Sequence, residues 1–207
     1  MQPTEGASPF DDPGYLFEPW WPGVRAQAWV ENRTLMRLRA EGLADALDAF
    51  AELGDELPER LIEDGVVLDG WLLTLDDGGW LDTSLLHRRL TGDRRAGRPA
   101  YVATDLLWTD GRSLQRRRFS ARRQHLEAVL LDGDRCVVSH AVRGEGTLLA
   151  EALGRFGLVS ISARRLDARY RAGPAGDAWQ RLPITPAAVP QRPRLSLIQR
   201  LPFPELG

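Results

Sequence analysis

Val66-Val67-Leu68-Asp69-Gly70-Trp71-Leu72-Leu73-Thr74-Leu75 is the strongest strand signal in this chain. Valine, leucine and tryptophan suit a pleated surface, and Asp76-Asp77-Gly78-Gly79 ends the run in a turn composition. Upstream, Val24 to Val30 and Thr34 to Leu38 read as two strands joined through Asn32-Arg33. Leu43, Ala46, Leu47, Phe50 and Leu53 recur at helical spacing and predict an amphipathic helix over 43–53. Downstream, a short helix is predicted over 82–90, capped by Asp82 or Thr83, then a strand from Tyr101 to Trp108. Ser120 can cap a helix through Leu131 that buries Leu126, Val129 and Leu130. Arg135 to Val142 reads as a strand, Leu148 to Phe156 as a helix and Gly157 to Ala163 as a strand. Hairpin-joined strands with helices between some of them give an α+β fold, antiparallel sheets flanked by helices.

Residues 1–13, rich in Pro, Gly, Ser and Asp, read as a flexible lead-in to a body over 14–183. Prolines at 183, 186, 190, 193, 202 and 204 mark 184–207 as an extended Pro-rich tail. Within it Leu195-Ser196-Leu197-Ile198 is apolar enough to pack back on the body. No apolar run is long enough to cross a bilayer, and the first residues lack the layout of a signal peptide. The single cysteine, Cys136, excludes an internal disulfide and a multi-cysteine metal site, so a reducing cytoplasm is the simplest compartment. The net charge is -2, and all 27 basic residues are arginine. Arginine stays protonated and has no free lone pair, so this chain has no side-chain amine to act as a nucleophile.

Leu16-Phe17-Glu18-Pro19-Trp20-Trp21-Pro22-Gly23-Val24-Arg25 resembles the nucleotide-binding motif of ATP-dependent DNA ligases of the bacterial end-joining type, Phe-Glu-Pro-Lys-Trp-Asp-Gly-Val-Arg. Four further stretches follow in the family's order. Val67 to Trp71 resembles its Leu-Asp-Gly-Glu segment, and Tyr101 to Trp108 its Phe-Asp-Leu-Leu strand. Val159 to Asp167, with Tyr170 and Arg171, resembles Glu-Gly-Val-Val-Ala-Lys-Arg-Leu-Asp, and Trp179-Gln180-Arg181 the closing Trp-x-Lys-x-Lys. The resemblance covers roughly residues 15–183 and implies the ligase adenylation-domain (nucleotidyltransferase) fold. It also implies ATP and Mg²⁺ as cofactors and a DNA nick as substrate, with the motif lysine attacking the α-phosphate to form a phosphoramidate to AMP.

The departures fall on the polar positions, while the apolar framework survives. Trp20 stands at the nucleophilic lysine, Pro22 at the neighbouring aspartate, Trp71 at a glutamate and Thr104 at the adenine-stacking aromatic. Val159 replaces a metal-facing glutamate; Arg164 and Arg181 replace lysines. An indole is neither basic nor nucleophilic. The sequence therefore predicts no catalytic residue, no metal ligand set and no cofactor, in a catalytically inactive ligase-like domain with a DNA-repair-related binding role. What the resemblance leaves of the nucleotide cleft is Glu18, Arg25, Arg39 and Asp69, with Glu18 and Arg25 expected to pair with each other or with backbone. Two tryptophans, Trp20 and Trp71, are expected to fill the old nucleotide space. Full-length ligases of this family carry an oligonucleotide-binding barrel after this domain, for which the tail is too short.

Arg116, Arg117, Arg118, Arg122 and Arg123, with Arg112, form the densest basic cluster and the candidate contact for DNA phosphates. Arg88, Arg89, Arg94, Arg95 and Arg98 form a second. His87, His125 and His140 show no metal spacing, and Cys136 reads as a small core residue. DNA or a DNA-repair protein is the expected partner, with no membrane. Two other readings stand beside this one: an active ligase or nucleotidyltransferase using a non-lysine route, and a protein-interaction module docking through Leu195 to Leu206.

Overall fold

The computed structural model describes residues 1–43 and 45–201, and these form two compact units. The first comprises residues 1–21 and 139–201, the second 22–138. The chain enters the first unit through strands β1 (Thr4–Glu5) and β2 (Asp11–Pro19). It passes into the second through β3 (Val24–Glu31), β4 (Thr34–Ala40), α1 (Leu53–Arg60), β5 (Val66–Leu75), α2 (Thr83–Leu90) and β6 (Arg98–Thr109). That unit ends with β7 (Arg112–Ser113), α3 (Phe119–Val129) and β8 (Cys136–Val138). The return to the first adds β9 (Val142–Glu145), α4 (Gly146–Gly154), β10 (Ser160–Arg165), β11 (Trp179–Pro183) and the single turn α5 (Leu195–Ile198).

The second unit is a sheet in the order β4-β3-β5-β6-β7, antiparallel along that path, with β8 added parallel to β6. Alternation decides its faces. Ala26, Ala28 and Val30 of β3 point into the core with Leu68 and Leu72 of β5 and Tyr101 and Ala103 of β6, meeting Leu53 and Leu57 of α1 and Leu126 and Val129 of α3. Asn32 and Arg33 turn the β3–β4 hairpin with φ 52° and 56°, the left-handed pair a two-residue turn needs. The Asp64 carboxylate accepts both of their backbone N–H groups, at 2.9 and 3.3 Å, which offsets the strain at a non-glycine position.

The first unit is a five-stranded sheet, β1-β11-β10-β2-β9. Phe10, Tyr15 and Phe17 pack their rings 5.0 to 6.1 Å apart, and Phe17, Leu149, Leu153, Ile161 and Ala163 are buried.

The α+β fold class holds, and so do β3 to β6, α2 with its Asp82 cap, and the burial of Leu126, Val129 and Leu130. Four readings are corrected. Residues 1–13 are not a loose lead-in: Thr4–Glu5 pairs in parallel with Gln180 and Arg181, and β2 begins at Asp11. Edge pairing uses backbone groups, which composition does not report. The predicted helix over 43–53 is a 3-10 turn, Leu47–Phe50, followed by α1 from Leu53. Asp45 accepts from the N–H of both Leu47 and Leu38, a side-chain turn that competes with regular helix, while Ala46, Phe50, Leu53 and Leu57 keep the buried stripe. Arg135 to Val142 splits into β8 and β9, one in each unit. Phe119 opens α3 after Arg118, without a side-chain cap from Ser120. In the tail, Leu195 and Ile198 are buried, and Gln199 accepts from the His140 N–H at 2.7 Å. Residues 202–206 of the stretch read as a docking tail lie outside the described residues.

Candidate functional site

Ligase-like motif residues are divided between the units: Glu18, Trp20, Val159, Arg164 and Arg181 in the first, Arg25, Arg39, Asp69, Trp71 and Thr104 in the second.

In the first unit β2 ends at Pro19, and the Trp20 N–H donates to the Ser160 carbonyl at 3.3 Å. The half-buried Trp20 indole lies tilted against Trp179, ring centroids 6.4 Å apart. Two guanidiniums complete the stack: Arg164 lies 4.1 Å from the Trp179 ring and Arg181 5.0 Å from the Trp20 ring. Hydroxyls of β10 hold the set in place, because alternate residues of a strand share a face. Ser162 accepts from Trp179 Nε1 at 2.8 Å, and Ser160 accepts from Arg181 Nε at 3.1 Å. Glu18 is fully buried, with Arg164 Nε 3.6 Å from its Oε2. The neighbouring Trp21 is buried and donates Nε1 to Ser139 at 3.0 Å. Val159 is exposed and offers no oxygen to a cation. Trp21, Arg164, Trp179 and Arg181 each meet an indole, a hydroxyl or a carboxylate of the same unit, and none of the groups named here is a side-chain amine.

In the second unit Arg25 grips Asp69 with both arms of its fork, Nε to Oδ1 at 2.9 Å and Nη2 to Oδ2. Asp69 is 1% exposed, so this is a buried bidentate pair of the kind whose net worth is small but whose rupture is costly. Glu18 and Arg25 were expected to pair with each other or with backbone; instead Arg25 pairs with Asp69 and Glu18 lies beside Arg164. Gly70 beside Asp69 has a packing cause: a Cβ there would stand 2.4 Å from the Val102 carbonyl oxygen. Trp71 is buried, at 7% exposure, where the resemblance puts a carboxylate. Thr104, at the stacking aromatic, is buried and donates its hydroxyl to the Asp69 carbonyl at 3.2 Å. Arg39 is exposed on edge strand β4. By the resemblance, Trp20 stands at the amine, Trp71 and Val159 at one carboxylate position in each unit and Thr104 at the adenine platform. Among the described residues no three His, Cys, Asp or Glu side chains group around a possible metal position.

The basic cluster divides. Arg116, Arg117 and Arg118 are exposed. Arg122 and Arg123 are not available to DNA. Arg122 is buried and pairs bidentately with Asp105 at 2.8 Å, and Arg123 pairs with Glu127 at 2.6 Å. The signal was present in the sequence, since Phe119, Arg122, Leu126 and Val129 form one helical stripe. In the second cluster Arg89 is buried, bound to Glu52 and to the carbonyls of Ala49, Ala96 and Gly97. Arg88 pairs with Asp93 and Arg94 with Asp48. Burial drives the Cys136 thiol well above its usual range, so it stays protonated. No described helix is long and apolar enough to cross a membrane.

The fold is that of the nucleotidyltransferase (adenylation) domain of ATP-dependent DNA ligases. A mycobacterial DNA ligase D complexed with ATP and MES superposes with a TM-score of 0.74 at 28% identity, over 88% of this chain and 59% of that one. The ligase domain of Mycobacterium tuberculosis LigD gives 0.73 at 27%, over 87% and 57%. The chain is homologous to the ligase domain of LigD. The multifunctional non-homologous end joining protein LigD of Mycolicibacterium smegmatis is 29% identical over 180 residues, 86% of this chain but 23% of that protein. The chain therefore spans less than a quarter of that relative's length. No protein-family model matches it.

Proposed function

We propose that this chain is a ligase-derived domain that has given up covalent adenylyl transfer and acts by binding, in a DNA-repair setting. One observation carries the reading: Trp20 stands at the motif lysine, and none of the 207 residues is a lysine. A phosphoramidate needs a nitrogen lone pair in line with the α-phosphate, which an indole and a guanidinium cannot supply. The geometry supports it, since Arg25 and Asp69 engage each other and Arg164 and Arg181 lie over indoles. DNA is the proposed partner, through Arg116, Arg117 and Arg118 and without Arg122 and Arg123.

Incubation with α-labelled ATP and Mg²⁺ or Mn²⁺ tests the loss of chemistry. The native protein is expected to stay unlabelled, and so is Trp20→Lys, because Trp71 and Val159 still stand where carboxylates are needed. A labelled band from the native protein, or sealing of a nicked duplex, overturns the proposal. Retention on duplex DNA that falls steeply between low and moderate salt is the expected binding result.

A further inference from the structure

Beside the start of α3 the second unit carries a cavity of about 540 Å³. None of its lining residues is a ligase-like motif residue named above; the reading just given uses Arg117 among them as a DNA contact, and the inference rests on that reading to that extent. Its size is within the range of small-molecule sites, roughly 300 to 1,000 Å³. Arg112 and Arg117 line it, both exposed, and neither side chain has an acid partner among the described residues. Arg122 also lines it, but its charge is met by Asp105.

The lining carboxylates are partly engaged. Glu63 accepts from the Thr109 hydroxyl and meets His125 Nε2 at 3.0 and 3.1 Å. Hydrogen bonds from Thr109 and then His125 hold its carboxyl below the usual range, so it is ionised. Asp64 receives the Asn32 and Arg33 N–H groups. Asp110 sits at φ 46° in the turn after β6; of the three carboxylates that oppose an anion here, it is the one held by no side-chain hydrogen bond among the described residues. Arg116 and Arg118 stand exposed beside Arg117 and add positive potential at the rim.

We propose that this cavity binds a phosphate monoester, with Arg112 and Arg117 on the phosphate oxygens. Two permanently charged planar forks facing one cavity without partners match the donor geometry that phosphate recognition uses. Thr109, Glu63 and His125 line the remainder with groups able to meet sugar or base edges. The shared chemistry is the monoester; a free mononucleotide and the 5′-phosphate of a DNA end are its two sources.

The experiment has two arms, each run on the native chain, on Arg112→Gln/Arg117→Gln and on Asp110→Asn. All three positions are exposed, and Asn tolerates the left-handed backbone at 110, so folding is expected to persist. In the first arm deoxyadenosine 5′-monophosphate is titrated calorimetrically. In the second a duplex with a 5′-phosphate is compared with its 5′-hydroxyl twin by anisotropy. The site requires binding of the monophosphate, or preference for the phosphorylated end, that falls about tenfold or more in the double variant. Asp110→Asn is expected to tighten it a few-fold. The arm that responds identifies the source. A native chain that neither binds the monophosphate nor distinguishes the two ends overturns the site, and so does binding unchanged in the double variant. Salt-sensitive duplex retention without end preference, in a chain that does not bind the monophosphate either, removes this site while leaving the DNA-binding reading in place.

Discussion

The two units hold their ligase-like arginines in different ways. In the second, Arg25 lies in a bidentate ion pair with Asp69, a partner of opposite charge that is itself buried. In the first, Arg164 and Arg181 lie over the rings of Trp179 and Trp20, with Glu18 and Glu5 at the longer distances of 3.6 and 3.7 Å. A carboxylate neutralises the charge it meets, and removing it strands that charge. An indole face lowers the energy of a cation without neutralising it, so its removal costs about a kcal/mol. The same residue type is therefore a structural pin at Arg25 and a lightly held cation at Arg181.

The sharpest way to break this contrast is to remove a carboxylate where both partners are buried. Asp105 and Arg122 are 1% and 2% exposed, and Asp105→Ala is expected to destabilise by about 3–5 kcal/mol in urea unfolding. A loss under 1 kcal/mol would mean that water or a neighbour takes over Arg122 readily. Asp69→Ala should cost less, roughly 2–3 kcal/mol, because Arg25 retains 17% exposure and can turn toward solvent. Equal losses at the two sites would contradict that ordering by burial.

How far the sequence reached differs along the same line. Alternation and helical period report which face of an element is buried, so β3, β5, α2 and the Leu126-Val129 stripe were legible. Arg122 is legible too, on the stripe of Phe119 and Leu126, although a charged residue type points the other way. Asp105 as its partner was not, since the two are joined only by folding. Arg25 was assigned to nucleotide by resemblance, and nothing local in Val24-Arg25-Ala26 shows that Asp69 lies across the sheet in reach. The indole–guanidinium stack was likewise hidden: Trp20, Arg164, Trp179 and Arg181 come from three separate stretches and meet through the β2–β10–β11 pairing. The 3-10 turn at Leu47–Phe50 depends on one side chain, Asp45, that helical period does not weigh.

On the lightly held side, Arg181→Ala is expected to cost about 1 kcal/mol or less, since its side chain is 36% exposed and Glu5 more so. Tryptophan fluorescence should move in the same variant, because Arg181 lies over Trp20. An unfolding midpoint lowered as much as in Asp69→Ala would show that the stack holds the first unit together rather than decorating it.

Acid separates the two kinds of contact with the smallest effect. A guanidinium over an indole has nothing to titrate between pH 3 and 7, whereas a contact made through a carboxylate does. Glu63 is held below its ordinary range, first by the Thr109 hydroxyl and then by His125. A carboxyl with a lowered folded value contributes stability above its unfolded pKa of about 4.3, and that contribution fades as pH falls through the lower folded value. Thr109→Val removes the largest cause, so the Glu63 carboxyl should titrate at higher pH and the fall in Tm below about pH 4.5 should become shallower. Carbon-detected titration of Glu63 beside melting curves from pH 3 to 7 measures both. If Thr109→Val leaves the Glu63 titration and the acid limb unchanged, the hydroxyl does not hold that carboxylate, and the cavity beside α3 loses the engaged acid that leaves Arg112 and Arg117 free for an anion.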